Sequence, residues 1–238
     1  SSCRYDLSYH IFKKKKKLFE NTDSIHLVAV SSWLKSMADK SGITSSVNST
    51  VIPNAIDVSE FSPKGRIGSR EILSLPQDAV VILVGAARLD DPIKGIDLLK
   101  KSLSVLKEKR KVDNLCLVLF GKVKNESFFK DFPIPYFWKG VVSDHDYASV
   151  LYSAADVTVV PSLYETFGQT ITESMACGCP VVSFNNSGQK DIISHLSDGY
   201  LAEYGDVNDF ADGILWALDI KEKHLMAQKC REKDCSLF

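Results

Sequence analysis

Two glutamates eight residues apart, Glu165 and Glu173 in the stretch PSLYETFGQTITESMACGCPVV (161–182), carry the plainest chemistry in this sequence. Between them, Gly168 stands where a loop turns into a helix. Ile171, Met175 and Ala176 recur at helical spacing, and Gly178 followed by Pro180 supplies the stop. A helix amino end presents unpaired N–H groups and partial positive charge, which together favour phosphate. Gly168 lets the backbone approach a ligand closely. At about 1.5 Å per helical residue the two carboxylates lie about a sugar's length apart, one on either side of a diphosphate. Two glutamates at a helix start also complement the dipole with no ligand involved, and that is their commoner use. Upstream, Arg88 can fork onto two phosphate oxygens and Lys94 can add a compact charge. A lone arginine on a loop is ordinarily solvated. Four such groups on one edge argue for a site.

The elements that must hold these groups follow from periodicity. Strands are predicted at Val80–Ala86, Leu115–Phe120, Tyr136–Gly140, Asp156–Val160, Val181–Phe184 and Tyr200–Ala202. Between them, Ile96–Arg110 reads as an amphipathic helix with Leu98, Leu99, Leu103 and Leu106 inward, another helix follows Asp146, and a last one runs from about Val207 to Leu218. Near-continuous apolar strands alternating with helices predict an α/β fold, a Rossmann-like parallel sheet covered on both faces. Ligands on such a sheet bind outside the carboxyl ends of the strands. Gly85, Arg88 and Lys94 follow the first strand there, Glu165 follows the fourth, and the backbone at Gly140–Val142 is placed to read a base edge.

The amino-terminal part differs. Residues 1–45 hold eight Lys and Arg against four Asp and Glu, a local net of +4. Lys13, Lys14, Lys15, Lys16 and Lys17 form an unbroken run on a predicted helix, Leu7–Phe19. The run reads first as a solvated helix face; its alternative is peripheral contact with anionic lipid, where each lysine contributes about 1 kcal/mol. His26–Val30 is a short strand, and Ser31 or Ser32 caps a helix through Lys40. Pro53 and the Ser62–Gly65 segment mark a linker. The expected domains are 1–55, the incomplete end of a first Rossmann-like domain; 56–225, the ligand-binding domain; and 226–238, a tail with a shortened helix.

Composition narrows the classes. The 238 residues, 45% hydrophobic and 25% charged, fit an ordinary globular chain, and a net charge of −1 gives no reason to expect nucleic acid. No apolar run approaches the length of a membrane span, and no signal-peptide core opens the sequence, so a cytoplasmic place is expected. Cys3, Cys116, Cys177, Cys179, Cys230 and Cys235 are scattered, without a CxxC, and reduced thiols are expected. Asp144-His145-Asp146 spells a DxD, but its place before a helix reads as an N-cap rather than a metal site. No Walker A loop or GxGxxG fingerprint is present. His195 is expected to serve as a cap or dipole partner, and Trp33, Trp138 and Trp216 as core.

At GAARLDDPIKG, at ETFGQTITE with its flanking ADVTVVPS and MACGCPVV, and at VIPNAID and DGYLAEYGD, the chain resembles the retaining glycosyltransferases of family 4, whose GT-B fold faces two Rossmann-like domains. The resemblance covers nearly the whole chain, chiefly the carboxyl-terminal, donor-binding domain. It implies transfer of a hexose from a nucleoside diphosphate sugar to a glycan or lipid-linked acceptor, with no metal and no other cofactor, as in polysaccharide biosynthesis. It implies that Arg88 and Lys94 hold the diphosphate, Glu165 the donor sugar and Glu173 the ribose. Main chain at Phe167, Gly168, Gln169 and Thr170 completes the sugar and phosphate site, and Val142 holds the base. Lys190-Asp191 departs from the family's usual Pro-Glu. Most of the acceptor domain is absent from this sequence, so the chain alone is expected to bind a nucleotide and transfer poorly. The alternatives are a non-catalytic nucleotide-sugar-binding fragment, or an epimerase or hydrolase on the same fold.

Overall fold

The computed structural model of the chain describes residues 6–20, 24–110 and 114–236. Cys3 and the side chain of Cys235 lie outside the described residues. The chain divides into two compact units, 1–54 and 55–238.

In the first unit, α1 (Leu7–Glu20) buries none of its side chains. The strands β1 (Leu27–Ala29) and β2 (Ser49–Val51) pair in parallel around α2 (Ser32–Lys40). Ser31 is the N-cap of α2, its hydroxyl accepting the Leu34 N–H at 3.1 Å.

The second unit begins with α3 (Arg66–Ile72), where the sequence had indicated only the end of a linker. Its Arg70 is fully buried and donates to the carbonyls of Ala79, Gln77 and Ala154 and to Asp156. A buried guanidinium keeps its place only when its donors are met, and here the partners stand nearby at Gln77 and Ala79 and far along the chain at Ala154 and Asp156.

Six parallel strands follow: β3 (Val80–Arg88), β4 (Leu115–Lys122), β5 (Tyr136–Trp138), β6 (Val157–Val160), β7 (Val181–Phe184) and β8 (Gly199–Ala202). Their spatial order is β5-β4-β3-β6-β7-β8. The order therefore reverses between β3 and β6, the place where doubly wound sheets open a ligand crevice. Alternation explains the two cores. Ile82, Leu117 and Val159 face α4 (Ile96–Lys109) and α8 (Val207–Leu218), while Val81, Leu83 and Val118 face α5 (His145–Ala154) and its neighbours.

The remaining helices are α6 (Gln169–Ala176), the single turn α7 (Gln189–Ile192) and α9 (Lys223–Ser236). The tail at 226–238, expected to hold a shortened helix, carries most of α9, which buries Met226 and Cys230. Arg231 donates to the carbonyls of Ala176 at 2.6 Å, Val58 at 3.0 Å and Phe61 at 3.2 Å. Two further expectations are corrected. Trp138 is 45% exposed, because β5 is an edge strand with one face open, although its indole N–H donates to the Gly121 carbonyl. Trp33 and Trp216 are half-buried. His195 caps no helix: its Nδ1 accepts the Leu201 N–H at 3.1 Å, and its ring packs against Tyr200.

Candidate functional site

Arg88 is the last residue of β3, and Lys94 ends the short 3-10 turn Pro92–Lys94 that follows. Asp91 starts that turn by accepting the Ile93 N–H at 3.1 Å. Gly95 closes it with φ +68°, and a Cβ there would stand 1.9 Å from the Pro161 carbonyl oxygen. That absence of a side chain lets the Lys94 turn lie against the loop leaving β6. Leu163 N–H to Ile93 carbonyl, 2.8 Å, joins the two loops.

The loop from β6 presents Glu165. Its backbone is fastened by Ser187, whose hydroxyl accepts the Glu165 N–H at 2.9 Å, and by the Gly188 N–H, which donates to the Glu165 carbonyl at 2.9 Å. Gln189 accepts from Ser187 and donates to the Ser162 carbonyl, and Asn186 donates to the Leu163 carbonyl. With the loops so placed, Lys94 Nζ meets Glu165 Oε1 at 2.8 Å, both side chains less than one-third exposed. Across the switch point the two strand ends thus bring opposite charges together.

Gly168 (φ +123°) precedes α6, and Gln169 and Thr170 supply its first N–H groups, which have no carbonyl one turn back. Phe167 is buried, leaving only its main chain for a ligand, while Gln169 is exposed and Thr170 half-buried. Glu173 lies on the second turn of α6. Its Oε2 accepts the hydroxyl of the buried Tyr152 at 2.6 Å. Burial pushes the Glu173 pKa up, against the Tyr152 hydrogen bond and the His145 charge that pull it down. Burial, then the neighbouring carboxylate, pushes the Tyr152 phenol well above its ordinary value. His145 is paired with Glu60 at 2.5 Å, and that bond raises its pKa. A hollow of about 260 Å³ opens beside them, lined by Glu60, Ser143, Asp144, His145 and Asp146. Val142, half-buried, sits next to it in sequence.

The predicted residues therefore fall into three groups. Lys94 and Glu165 touch. Glu173 belongs to a second cluster with Tyr152. Arg88 turns to its own loop, 3.0 Å from Asp91 and 3.4 Å from Asp90. Gly85 has a packing use: the space of its missing Cβ holds the Phe120 ring, 2.0 Å from where that atom would stand. Asp144 caps α5, accepting the Asp146 N–H at 3.0 Å, and no cluster of potential metal ligands occurs among the described residues. Ser187, Gln189 and Tyr152 were not singled out from sequence. The small polar run NNSGQ ahead of a helical turn was the one local signal for the first two.

Residues 69–233 match the family described as "Glycosyl transferases group 1". The chain belongs to that family. Among curated relatives, D-inositol 3-phosphate glycosyltransferase of Paenarthrobacter aurescens (strain TC1) is 29% identical over 178 residues, 69% of this chain and 41% of its own length. The Escherichia coli UDP-Gal:alpha-D-GlcNAc-diphosphoundecaprenol alpha-1,3-galactosyltransferase is 24% identical over 77% of this chain and 49% of its own. The chain thus spans less than half the length of these relatives. Among solved structures, sucrose-phosphate synthase from Thermosynechococcus elongatus superposes with a TM-score of 0.77 at 25% identity, covering all of this chain and 59% of that one. Anabaena Alr3699/HepE in complex with UDP-glucose gives 0.76 at 21% identity, covering 97% and 64%. The six-stranded unit of this group 1 glycosyltransferase is the carboxyl-terminal Rossmann-like domain of the GT-B fold.

Proposed function

We propose that this chain is the donor-binding portion of an enzyme that moves a hexosyl group from a nucleoside diphosphate sugar to a glycan or lipid-linked acceptor, with retention at the anomeric carbon as in family 4. The observation that carries the reading is the Lys94–Glu165 pair beside the amino end of α6 at the sheet's switch point. Breaking the anomeric C–O bond places negative charge on the leaving diphosphate, and fixed positive groups lower the barrier where that charge grows. Lys94 Nζ and the Gln169 and Thr170 N–H groups are the fixed positive groups assigned to that task. An arriving diphosphate takes over Lys94, which frees Glu165 to accept hydroxyls of the donor sugar. Arg88, held by Asp90 and Asp91 yet 39% exposed in its side chain, turns to a phosphate oxygen. Glu173 accepts the ribose hydroxyls while Tyr152 fixes its orientation, and the base lies over the hollow by Val142.

The UDP-glucose of the Anabaena protein supports the nucleotide-sugar class and makes uridine the first base to test. In this reading the diphosphate charge is met by side chains and a helix end, so turnover persists in EDTA. The protein works in the cytoplasm, and α1 with Lys13–Lys17 rests on anionic lipid at the membrane face. The deciding experiment is thermal unfolding of this chain with UDP-, GDP- and ADP-sugars. A ligand at a hundred times its Kd adds about 2.7 kcal/mol of stability. One nucleotide class is expected to raise the midpoint, and Lys94→Ala and Glu173→Ala to abolish the rise. No rise with any member of the panel sinks the proposal.

A further inference from the structure

Asp156 precedes β6 and Pro180 precedes β7, so both lie at the amino ends of the strands, the opposite edge of the sheet from Lys94 and Glu165. Here a cavity of about 200 Å³ opens, walled by apolar groups of Ala155, Pro180, Ala217, Ile220, Met226 and Ala227. At its rim stand Arg66 and Lys223, the first residues of α3 and α9.

Charge at that rim is not balanced. The Oδ2 of Asp156 accepts the buried Arg70 at 2.9 Å and the Val81 N–H at 2.9 Å, so Arg70 already neutralises the carboxylate. Its Oδ1 is then shared by two more cations, Lys223 Nζ at 2.8 Å and Arg66 Nη2 at 3.2 Å. Both of those side chains are about half exposed, and each keeps N–H donors beyond the one aimed at Asp156. The amino end of α9 adds partial positive charge beside Lys223. An apolar cavity with two surplus cations at its mouth suits a ligand of matching polarity.

The geometry points to a second ligand site, separate from the nucleotide site, that takes a small organic anion: an aromatic or short branched body in the cavity, and a carboxylate or phosphate monoester between Arg66 and Lys223. The size is right, since an apolar cavity of about 150 Å³ holds benzene. Tyr152 also lines this cavity, while its hydroxyl reaches Glu173 on α6.

The test uses this chain, phenyl phosphate and benzoate as anionic probes, and benzyl alcohol as the neutral one, followed by ¹H–¹⁵N spectra. Both anions are expected to shift the amides of Gly178, Lys223 and Ala227, with affinities about tenfold above that of benzyl alcohol, two half-exposed ion pairs' worth. In Lys223→Gln combined with Arg66→Gln that advantage disappears, while benzyl alcohol binds as before, which also shows that the variant remains folded. Should the double variant unfold, Lys223→Gln alone is expected to lose part of the advantage. Equal affinity for charged and neutral probes overturns the site. So does phenyl phosphate shifting Gln169 and Thr170 while leaving Gly178 and Ala227 unmoved, because the anion is then held by the nucleotide site. Absence of any shift at Gly178, Lys223 and Ala227 has the same force.

Discussion

Lys94 Nζ and Glu165 Oε1 lie 2.8 Å apart although 71 residues separate them, and they come from loops on either side of the switch point. Each group fixes the position of the other. Loss of the cation and loss of the anion should therefore differ in sign. In the full-length enzyme, Lys94→Ala is expected to lower kcat/KM by about two orders of magnitude or more, as removal of a group facing developing charge does. Glu165→Gln should also slow transfer, but bind UDP at least as tightly as the wild type, because Lys94 is released from its internal pair. Calorimetry with UDP distinguishes them; an equal fall in UDP affinity for both variants refutes the shared-lysine account.

Two glycines should separate folding from binding. Gly95→Ala places a methyl group 1.9 Å from the Pro161 oxygen at φ +68°. Backbone strain of about 1–3 kcal/mol plus the clash should lower the melting midpoint by about 5–10 °C. Gly188→Ala meets the Thr166 carbonyl oxygen at 2.6 Å and the Glu165 carbonyl oxygen at 2.9 Å. Its main expected effect is a displaced Glu165 loop, read as nucleotide-sugar affinity lost out of proportion to the melting point. Unchanged affinity in a folded Gly188→Ala protein goes against the part given to the 185–189 loop.

Glu173 gives a pH dependence. Its folded pKa is raised above the ordinary 4.5, so its contribution to stability is full below that value and fades as the pH rises through the raised one. His145 acts in the same direction above its ordinary 6.5, through its bond to Glu60. Glu173→Gln keeps a neutral acceptor for Tyr152 and removes the buried charge. Its stability should be flatter between pH 4.5 and 7, with a midpoint at pH 7 no lower than that of wild type. Nucleotide affinity should fall by about 10- to 100-fold, the range of hydrogen bonds to a charged group. Urea unfolding across pH, with and without UDP, measures both.

The Arg70–Asp156 pair is expected to dominate the stability of the second unit's lower edge. Burial pushes the Asp156 pKa up, but Lys223, the Val81 N–H and Arg66 together outweigh it and hold the carboxyl below its ordinary 3.8. That contribution is present above pH 3.8 and is lost as the pH falls through the lowered value. Arg70→Met should cost about 3–5 kcal/mol, because it removes one buried cation from Asp156 and the donor to the carbonyls of Gln77, Ala79 and Ala154. A loss under 1 kcal/mol by urea denaturation contradicts this.

How far the sequence could be read depended on range. Period-two and period-3.6 patterns with Gly and Pro stops located β3, β4, α4, α6, β7 and α8 within a few residues, because local rules decide them. The E-x₇-E spacing and the Lys94 loop likewise marked one edge of the sheet. What escaped needed partners far along the chain. The helix α3 holds Gly68 and three charged residues, Arg66, Arg70 and Glu71, and its reason to exist is a carboxylate 86 residues from Arg70. Tyr152 and Ser187 looked like ordinary core and loop residues until Glu173 and Glu165 stood beside them. An exposed Trp138 was beyond reach because an apolar run does not reveal that its strand lies at a sheet edge.

Arg231 ties the carbonyl ends of Val58, Phe61 and Ala176 together. One guanidinium on α9 therefore fastens the carboxyl end of α6, the helix that bears Glu173, to the segment at 58–61. A side chain far from any ligand group thus acts as a latch on nucleotide capture. Arg231→Met should leave the chain folded yet weaken its hold on UDP; a folded variant that binds UDP as tightly as wild type rules the latch out.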